Sequence, residues 1–497
     1  MKKLLFTLAL MAVCFMANAQ RDYSSLYTAD LPIKLKQVKA PKIPERSVKL
    51  TDYGAKGNGV DICTEAFRTA IDELSRKGGG HLIVPAGVWL TGPISLKSNI
   101  DLHLEANALV IFSPNKSLYF SGENKSRYLP LIGADRVHDI SITGSGTLDG
   151  NGKYWRPAKR NKNSDTEWKA FKRLGGYITP AGDLWMPYNL KNVKNITAIK
   201  TDTIKAATKE EGLRNDLIRI TKSDNILIEG VTVQNSPRFH VHPIECTNVI
   251  LDGISVRCPW NAQNGDAIDL AHVQTALVIN CIVDAGDDGI CLKAGDGDKG
   301  VADGPCSDML IQDNTVYHAH GGFVFGSDCS GGMQKIVFRR CTMSGTDVGL
   351  RFKSGLGRGG KTSQIYCQDI VMNDIKDEAI IFDCTYIDKN YKTMLDKKAG
   401  IEKPKADGEK SEKKKAKEKA REAMFMANDF APDFQDIHIE RVVCRECRYG
   451  LKTEPLKGRK CISKIEVKDC TLFYTVKGED IDSDSQINVQ NTIYATY

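Results

Sequence analysis

The 497-residue chain is poor in long apolar runs. The single one, Leu4 to Met16, sits at the extreme N-terminus and is too short for a membrane-spanning helix. A multi-span helical membrane protein is thereby excluded. An excess of charge is also missing from most of the chain. The formal net charge is +7, but Lys389 to Arg421 alone contributes 13 Lys and Arg against 6 Asp and Glu. Without that segment and the two N-terminal lysines the body carries −2, so the charge balance gives no support to nucleic-acid binding. Cys444 and Cys447 have Cys-x-x-C spacing, but no second pair and no histidine cluster accompany them, so no metal and no cofactor are expected. With 41% hydrophobic and 26% charged residues, neither general disorder nor a small disulfide scaffold fits.

What is present begins with an export pattern. Lys2 and Lys3 precede the apolar run, and Ala17-Asn18-Ala19 forms a small-x-small cleavage site. Residues 1–19 are therefore expected as a signal peptide and 20–47 as an N-terminal extension, with the mature protein periplasmic or extracellular. Residues 48–497 are expected as one domain with insertions at about 158–212 and 388–430. The run KSEKKKAKEKAREA in the second insertion is expected to be a solvated helix or flexible segment. Trp168, Tyr177, Trp185 and Tyr188 in the first are candidates for stacking on a sugar ring.

The chain repeats itself. Apolar residues at offsets 0, 2, 5 and 7 recur as Ile226, Ile228, Val231, Val233, then as Val249, Leu251, Ile254, Val256, and again as Ala276, Val278, Cys281, Val283. Five later copies start at Met309, Ile336, Ile365, Ile437 and Ile465. Copies lie 23 to 33 residues apart, except for a gap of 72 across the Lys-rich insertion. Alternation of period two, broken once, predicts a strand with a bend. A second strand follows in the same coils, at Ile268/Leu270, Ile290/Leu292, Val324, Leu350/Phe352 and Ile380/Phe382. A β-sandwich would need strands every 8 to 12 residues with hairpin signals. The spacing instead predicts an all-β protein, a parallel β-helix of stacked coils. Thr64 to Lys77 has helical spacing of Phe67, Ile71 and Leu74, and is expected as a short helix capping the open N-terminal end. Cys281, Cys341 and Cys470 share one coil position, where a small thiol packs as core filler. Disulfides between coils stay open.

Polar residues gather at matching places in consecutive coils. Asp266 precedes Ile268 by two residues, and Asp288, with Asp287 beside it, precedes Ile290 by two. His320 precedes the strand around Val324, and Arg351 and Lys353 flank Phe352 on the side opposite the core. Coils stack about 4.8 Å apart, so these groups should meet. Adjacent Asp287 and Asp288 need a bend to face one cleft, which Gly286 and Gly289 would provide. Crowded carboxylates raise one pKa and leave a proton to donate. An acid opposite a carboxylate with room for water is the machinery of inverting glycoside hydrolysis, and two cations beside it suit an anionic sugar.

The motifs Asn264-Gly265-Asp266, Gly286-Asp287-Asp288, Ala319-His320-Gly321 and Arg351-Phe352-Lys353, in that order, resemble those of the polygalacturonase family, glycoside hydrolase family 28. The likeness runs from about Val48 to the last coil. It implies a right-handed, pectin-lyase-like parallel β-helix and inverting hydrolysis of α-1,4-linked galacturonic acid in pectin. It implies Asp287 as general acid, with Asp266 and Asp288 activating water. His320 would support the acid. Asn264, Arg351, Lys353 and, beyond the Arg-x-Lys pair, Tyr386 would bind substrate. No metal is implied. The expected partner is an acidic plant-type polysaccharide, the galacturonan, or its oligosaccharides, acted on by a monomer. Gly265 and Ala319 depart from the family's usual threonine and glycine, and His318 is a decoy for His320. Rhamnogalacturonan or xylogalacturonan hydrolysis, a pectate lyase and a non-catalytic glycan-binding solenoid are the competing readings. The insertions mildly favour exo action.

Overall fold

The computed structural model describes residues 21–120, 128–179, 181–187, 212–386 and 430–497. The expected signal peptide, Tyr188, the side chain of Tyr177 and the Lys-rich run lie outside the described residues. Among the described residues no helix is long and apolar enough to cross a membrane.

Each coil of the repeat contributes three strands to three parallel ladders. One coil reads Gln274–Ile279, Ile282–Asp284 and Ile290–Lys293. Each strand pairs in parallel with its equivalent in the next coil: Ala276 with Met309, Val283 with Val316, Ile290 with Phe323. Among the described residues, 33 strands make up this parallel β-helix. The single bent strand expected from the 0, 2, 5, 7 pattern is found at Lys361–Asn373 and within Asp433–Glu454, while in the other six copies it is two strands of different ladders. What joins them is a left-handed residue at offset 4: Gly230, Gly253, Asn280, Asp313, Arg340, Asp369, Arg441 and Asp469 all have positive φ. Gly, Asn and Asp reach that region cheaply, which is why they dominate this position. A second left-handed residue recurs just before offset 0, from Asn225 through Lys464.

Inward residues of successive coils stack on their own kind. Phe325, Phe352 and Phe382 form a column with ring centroids 4.5 Å apart at each step, while Phe323 stacks at 4.0 Å on Phe338, which belongs to a different ladder. Cys281, Cys341 and Cys470 are buried in the same core, as filler. All fourteen cysteines of residues 21–497 are buried and free, so none of the disulfides left open forms here. Between Cys281 and Cys341 sits buried Asn314, which donates to the Val278 carbonyl and accepts from the Cys281 N–H, satisfying a polar side chain inside the core.

The helix Thr64–Arg76 buries Phe67, Ala70, Ile71 and Leu74 against the first coil. The N-terminal extension does something the sequence did not announce. Its Tyr23, Leu35 and Val38 cover an outward-facing apolar ladder of Leu227, Ile250, Leu277, Leu310 and Val337. Side chains on the coils hold its backbone: Asp308 accepts from the Lys36 N–H and Asn248 from the Lys39 N–H. The described part of the first insertion has its own small core. Trp168 and Trp185 are buried there with Ala158, so these two tryptophans are not available for stacking on a sugar, contrary to expectation.

Phe352→Ala removes the middle ring of the phenylalanine column. It should cost about 3–5 kcal/mol in denaturant unfolding, whereas Val371→Ala on the exposed side should stay within roughly 0.5 kcal/mol. Equal effects of the two would contradict this account of the core.

Candidate active site

The register brings the expected residues together at one corner, where the short ladder hands over to the ladder of Ile268–Ala271, Ile290–Lys293, Gly321–Phe325 and Val348–Lys353. Ile268 pairs with Ile290, so Asp266 lies over Asp288. One residue earlier, Asp287, His320 and Asp347 occupy the equivalent place in three successive coils. The His320 N–H donates to the Asp287 carbonyl at 2.8 Å, and the Asp347 N–H to the Ala319 carbonyl at 2.8 Å. Arg351 and Lys353 sit in the strand itself, alternating with buried Leu350 and Phe352. Asp287 and Asp288 fall in a bend between strands. Gly286 is required there, because a Cβ would meet the Pro259 carbonyl at 2.5 Å. Gly265 is explained the same way: a Cβ would come within 2.7 Å of the Cys258 sulfur.

The three carboxylates live in different fields. Asp288 is buried, which alone would raise its pKa. The Lys353 ammonium, 2.7 Å from its Oδ2, together with Arg351 and Lys293, outweighs burial and holds the group down to about 2. Asp287 is partly exposed to the cleft. Desolvation first, and the neighbouring Asp288 charge second, push its pKa up, against the opposing charges of Lys353 and Lys162. Asp266 is buried, and its pKa is raised well above the ordinary carboxylate value by burial and then by Asp269. Lys293 opposes that rise but lies closer to Asp269, at 2.6 Å, than to Asp266, at 3.3 Å. The site therefore sets a carboxylate whose pKa is lowered next to two whose pKa values are raised. One oxygen each of Asp266, Asp269 and Asp288 is buried without a hydrogen-bond partner among the described residues.

The remaining expected residues lie around the same corner. Arg351 and Lys353 both lie over the Tyr386 ring, at 5.5 and 5.2 Å from its centroid. Asn264 accepts from Arg214 at 3.2 Å. His320 contacts Asp347 through Nδ1 at 2.7 Å. Lys353 is buried against Asp288, while Arg351 keeps part of its surface open.

Sequence reading missed several residues. Lys293 and Asp269 alternate with core positions of the strands after the motifs, a signal that was there to be read. Arg214 stands outside the repeat, and Asp347 precedes Val348 as His320 precedes Gly321, so its register could have marked it. Lys162 came from the insertion and gave no signal. Its ammonium reaches His320 Nε2 at 3.0 Å. Trp260, 55% exposed on the loop before Asn264, is an aromatic surface of the kind assigned above to Trp168 and Trp185.

Buried His240 holds Asp266 from below. Its Nδ1 lies 2.9 Å from the Asp266 carbonyl, and Nε2 accepts from the Ser236 N–H at 3.2 Å. An imidazole that accepts at Nε2 donates at Nδ1 and is neutral. Burial pushes its pKa down to about 4.

The model of the glycosyl hydrolases family 28 matches residues 200–412. The chain is 30% identical over 347 residues to a probable polygalacturonase of Vitis vinifera, matched over 66% of this chain and 61% of that protein. It is 30% identical over 346 residues to a polygalacturonase of Medicago sativa, over 67% of each. The chain thus spans about three fifths of the length of the grapevine relative. Among solved structures, a hyperthermoactive exopolygalacturonase from Thermotoga maritima superposes with a TM-score of 0.69 at 27% identity, covering 92% of this chain and 94% of that one.

The neutral His240 predicts a pH dependence. Between pH 6.5 and about 4 the unfolded chain binds a proton that the folded chain refuses, so folding stability falls as pH falls through that window, by up to roughly 3 kcal/mol. The stability advantage of the wild type over His240→Gln, read by urea unfolding, should shrink by that amount from pH 7 to pH 4. A constant difference would contradict the buried neutral imidazole.

Proposed function

Since the chain belongs to the glycosyl hydrolases of family 28, we propose that it is an exported glycosidase that hydrolyses α-1,4-galacturonosidic bonds with inversion, acting from a chain end. The observation that carries this reading is the contrast between Asp287 and Asp288. Side by side in the cleft, one is biased towards its acid form and the other is held ionised by Lys353.

In the mechanism we derive from this arrangement, Asp287 donates its proton to the departing glycosidic oxygen. Asp288 takes a proton from the water that attacks the anomeric carbon on the opposite face. Asp266, stacked on Asp288, orients that water through its own proton. The two transfers leave Asp287 ionised and Asp288 protonated, and exchange with solvent restores both. Arg351, backed by Tyr386, grips the sugar carboxylate. Lys353 does double duty, steadying Asp288 and adding positive potential to the cleft. Asn264 contributes a polar contact beside Asp266. An acidic polysaccharide entering among Arg351, Lys353, Lys293 and Lys162 meets a field that favours its charge.

Two contacts support action from a chain end. The Asn261 amide donates to the Asn163 side chain at 2.7 Å, and Lys162 bonds to His320, so the insertion stands beside the proposed catalytic residues, where it would limit access from one side. The likeness to the exopolygalacturonase from Thermotoga maritima supports this reading.

Incubation with polygalacturonate should release monomeric galacturonate from the start, with the β-anomer appearing first in proton NMR. Asp287→Asn should lower kcat by roughly 10²- to 10⁴-fold while the protein stays folded. An unsaturated product absorbing in the ultraviolet would make the protein a lyase. Turnover of rhamnogalacturonan in place of polygalacturonate would move the substrate elsewhere in the family. Glycan binding without any new reducing ends would leave only a binding solenoid.

A further inference from the structure

The insertion that interrupts the repeat sends one side chain into the cleft. Lys162 ends the short turn Arg160–Lys162. That turn is fixed on every side. The Arg160 guanidinium donates to the Asn163 carbonyl at 2.7 Å and pairs with Asp165. The Asn163 amide donates to the Lys159 carbonyl at 2.6 Å, and its oxygen accepts from Asn261, on the loop that leads to Asn264. Ser164 then caps the helix Asp165–Arg173 in a reciprocal box with Glu167. The lysine is thus delivered by a rigid turn, and its Nζ ends 3.0 Å from His320 Nε2.

The chemistry of that contact restricts the imidazole. An ammonium has donors only, so Nε2 must offer a lone pair. The ring proton then resides on Nδ1, which lies 2.7 Å from Asp347 Oδ2. Asp347 in turn pairs with Lys376 at 3.2 Å. The charged groups around Lys162 are Asp287 and Asp347, which favour its charge, and Lys159 and Lys376, which oppose it. Burial works against the charge as well. His320 is therefore gripped from both sides, by a carboxylate of the next coil and by a cation from outside the repeat. With its Nε2 committed, it cannot donate from that atom towards Asp287. Lys162 is near enough to Asp287 for the two charges to favour one another.

We infer that Lys162 is a positioning residue which fixes the Nδ1–H tautomer of His320 and places a cation of the insertion beside Asp287. This rests on the catalytic reading of Asp287, but the histidine half is testable without it. The insertion is thereby more than a wall to the cleft: it completes the hydrogen bonding of a residue in the repeat.

The test reads the ring directly. In protein labelled with ¹⁵N-histidine, the signal lost in His320→Gln identifies His320. In the wild type its long-range ¹H–¹⁵N pattern at neutral pH should be that of the Nδ1–H tautomer. Lys162→Met should disturb this pattern, and Lys162→Arg, which restores donors, should recover it. A wild-type Nε2–H or doubly protonated ring, or a His320 signal indifferent to Lys162→Met in a protein with unchanged circular dichroism, would overturn the inference. On polygalacturonate, Lys162→Met should lower kcat by up to roughly 100-fold with KM nearly unchanged and displace the pH profile. A rise in KM alone would instead make Lys162 a substrate contact and overturn its positioning role. Absence of turnover by the wild type would sink the polygalacturonase reading and leave the tautomer result standing by itself.

Discussion

The parallel hydrogen-bond ladder between coils is the constraint on which everything else depends. It sets equivalent residues of successive coils about 4.8 Å apart, so a side chain's neighbours are fixed by its place in the coil rather than by its distance along the chain. Asp266 and Asp288 meet because Ile268 pairs with Ile290, and Asp287, His320 and Asp347 meet because they share one corner. The same rule makes the phenylalanine column inside and the apolar ladder under the N-terminal strap outside. Left-handed residues at fixed coil positions keep this register from drifting, since each one turns the chain at the same place.

Stacking like on like is favourable for phenylalanine and costly for aspartate. The molecule uses both. Rings gain contact along the column, while carboxylates brought together must shed protons unequally. Cations settle the division. Lys353 goes to Asp288 and favours its ionised form, Lys293 goes mainly to Asp269, and Asp287 is left with its pKa raised. In the proposed mechanism acid and base are two adjacent aspartates of identical chemistry, distinguished by the Lys353 ammonium held against one of them.

Much of this could be read from the chain. The 0, 2, 5, 7 pattern gave the solenoid, because alternation and a fixed interval survive in one dimension. The positions of Asp266, Asp287, Asp288, His320, Arg351 and Lys353 relative to the apolar pairs placed them in one cleft for the same reason. Where the repeat stops, the sequence had less to say. Trp168 and Trp185 look like open aromatic surfaces in a polar stretch, yet they close a small core of their own. The strap of residues 21–45 has no periodicity, and its partners, Leu227 to Val337, look in sequence like ordinary strand residues facing the wrong way.

The sequence by itself determined the coil, the register and the set of acidic groups at the corner, because these follow from local alternation and from intervals countable along the chain. Only the tertiary structure decided which lysine pairs with which carboxylate, that Asp266 favours a proton, and that Lys162 reaches His320. Those outcomes turn on distances of a few ångströms between segments with no common period, and on how deeply each group is withdrawn from water.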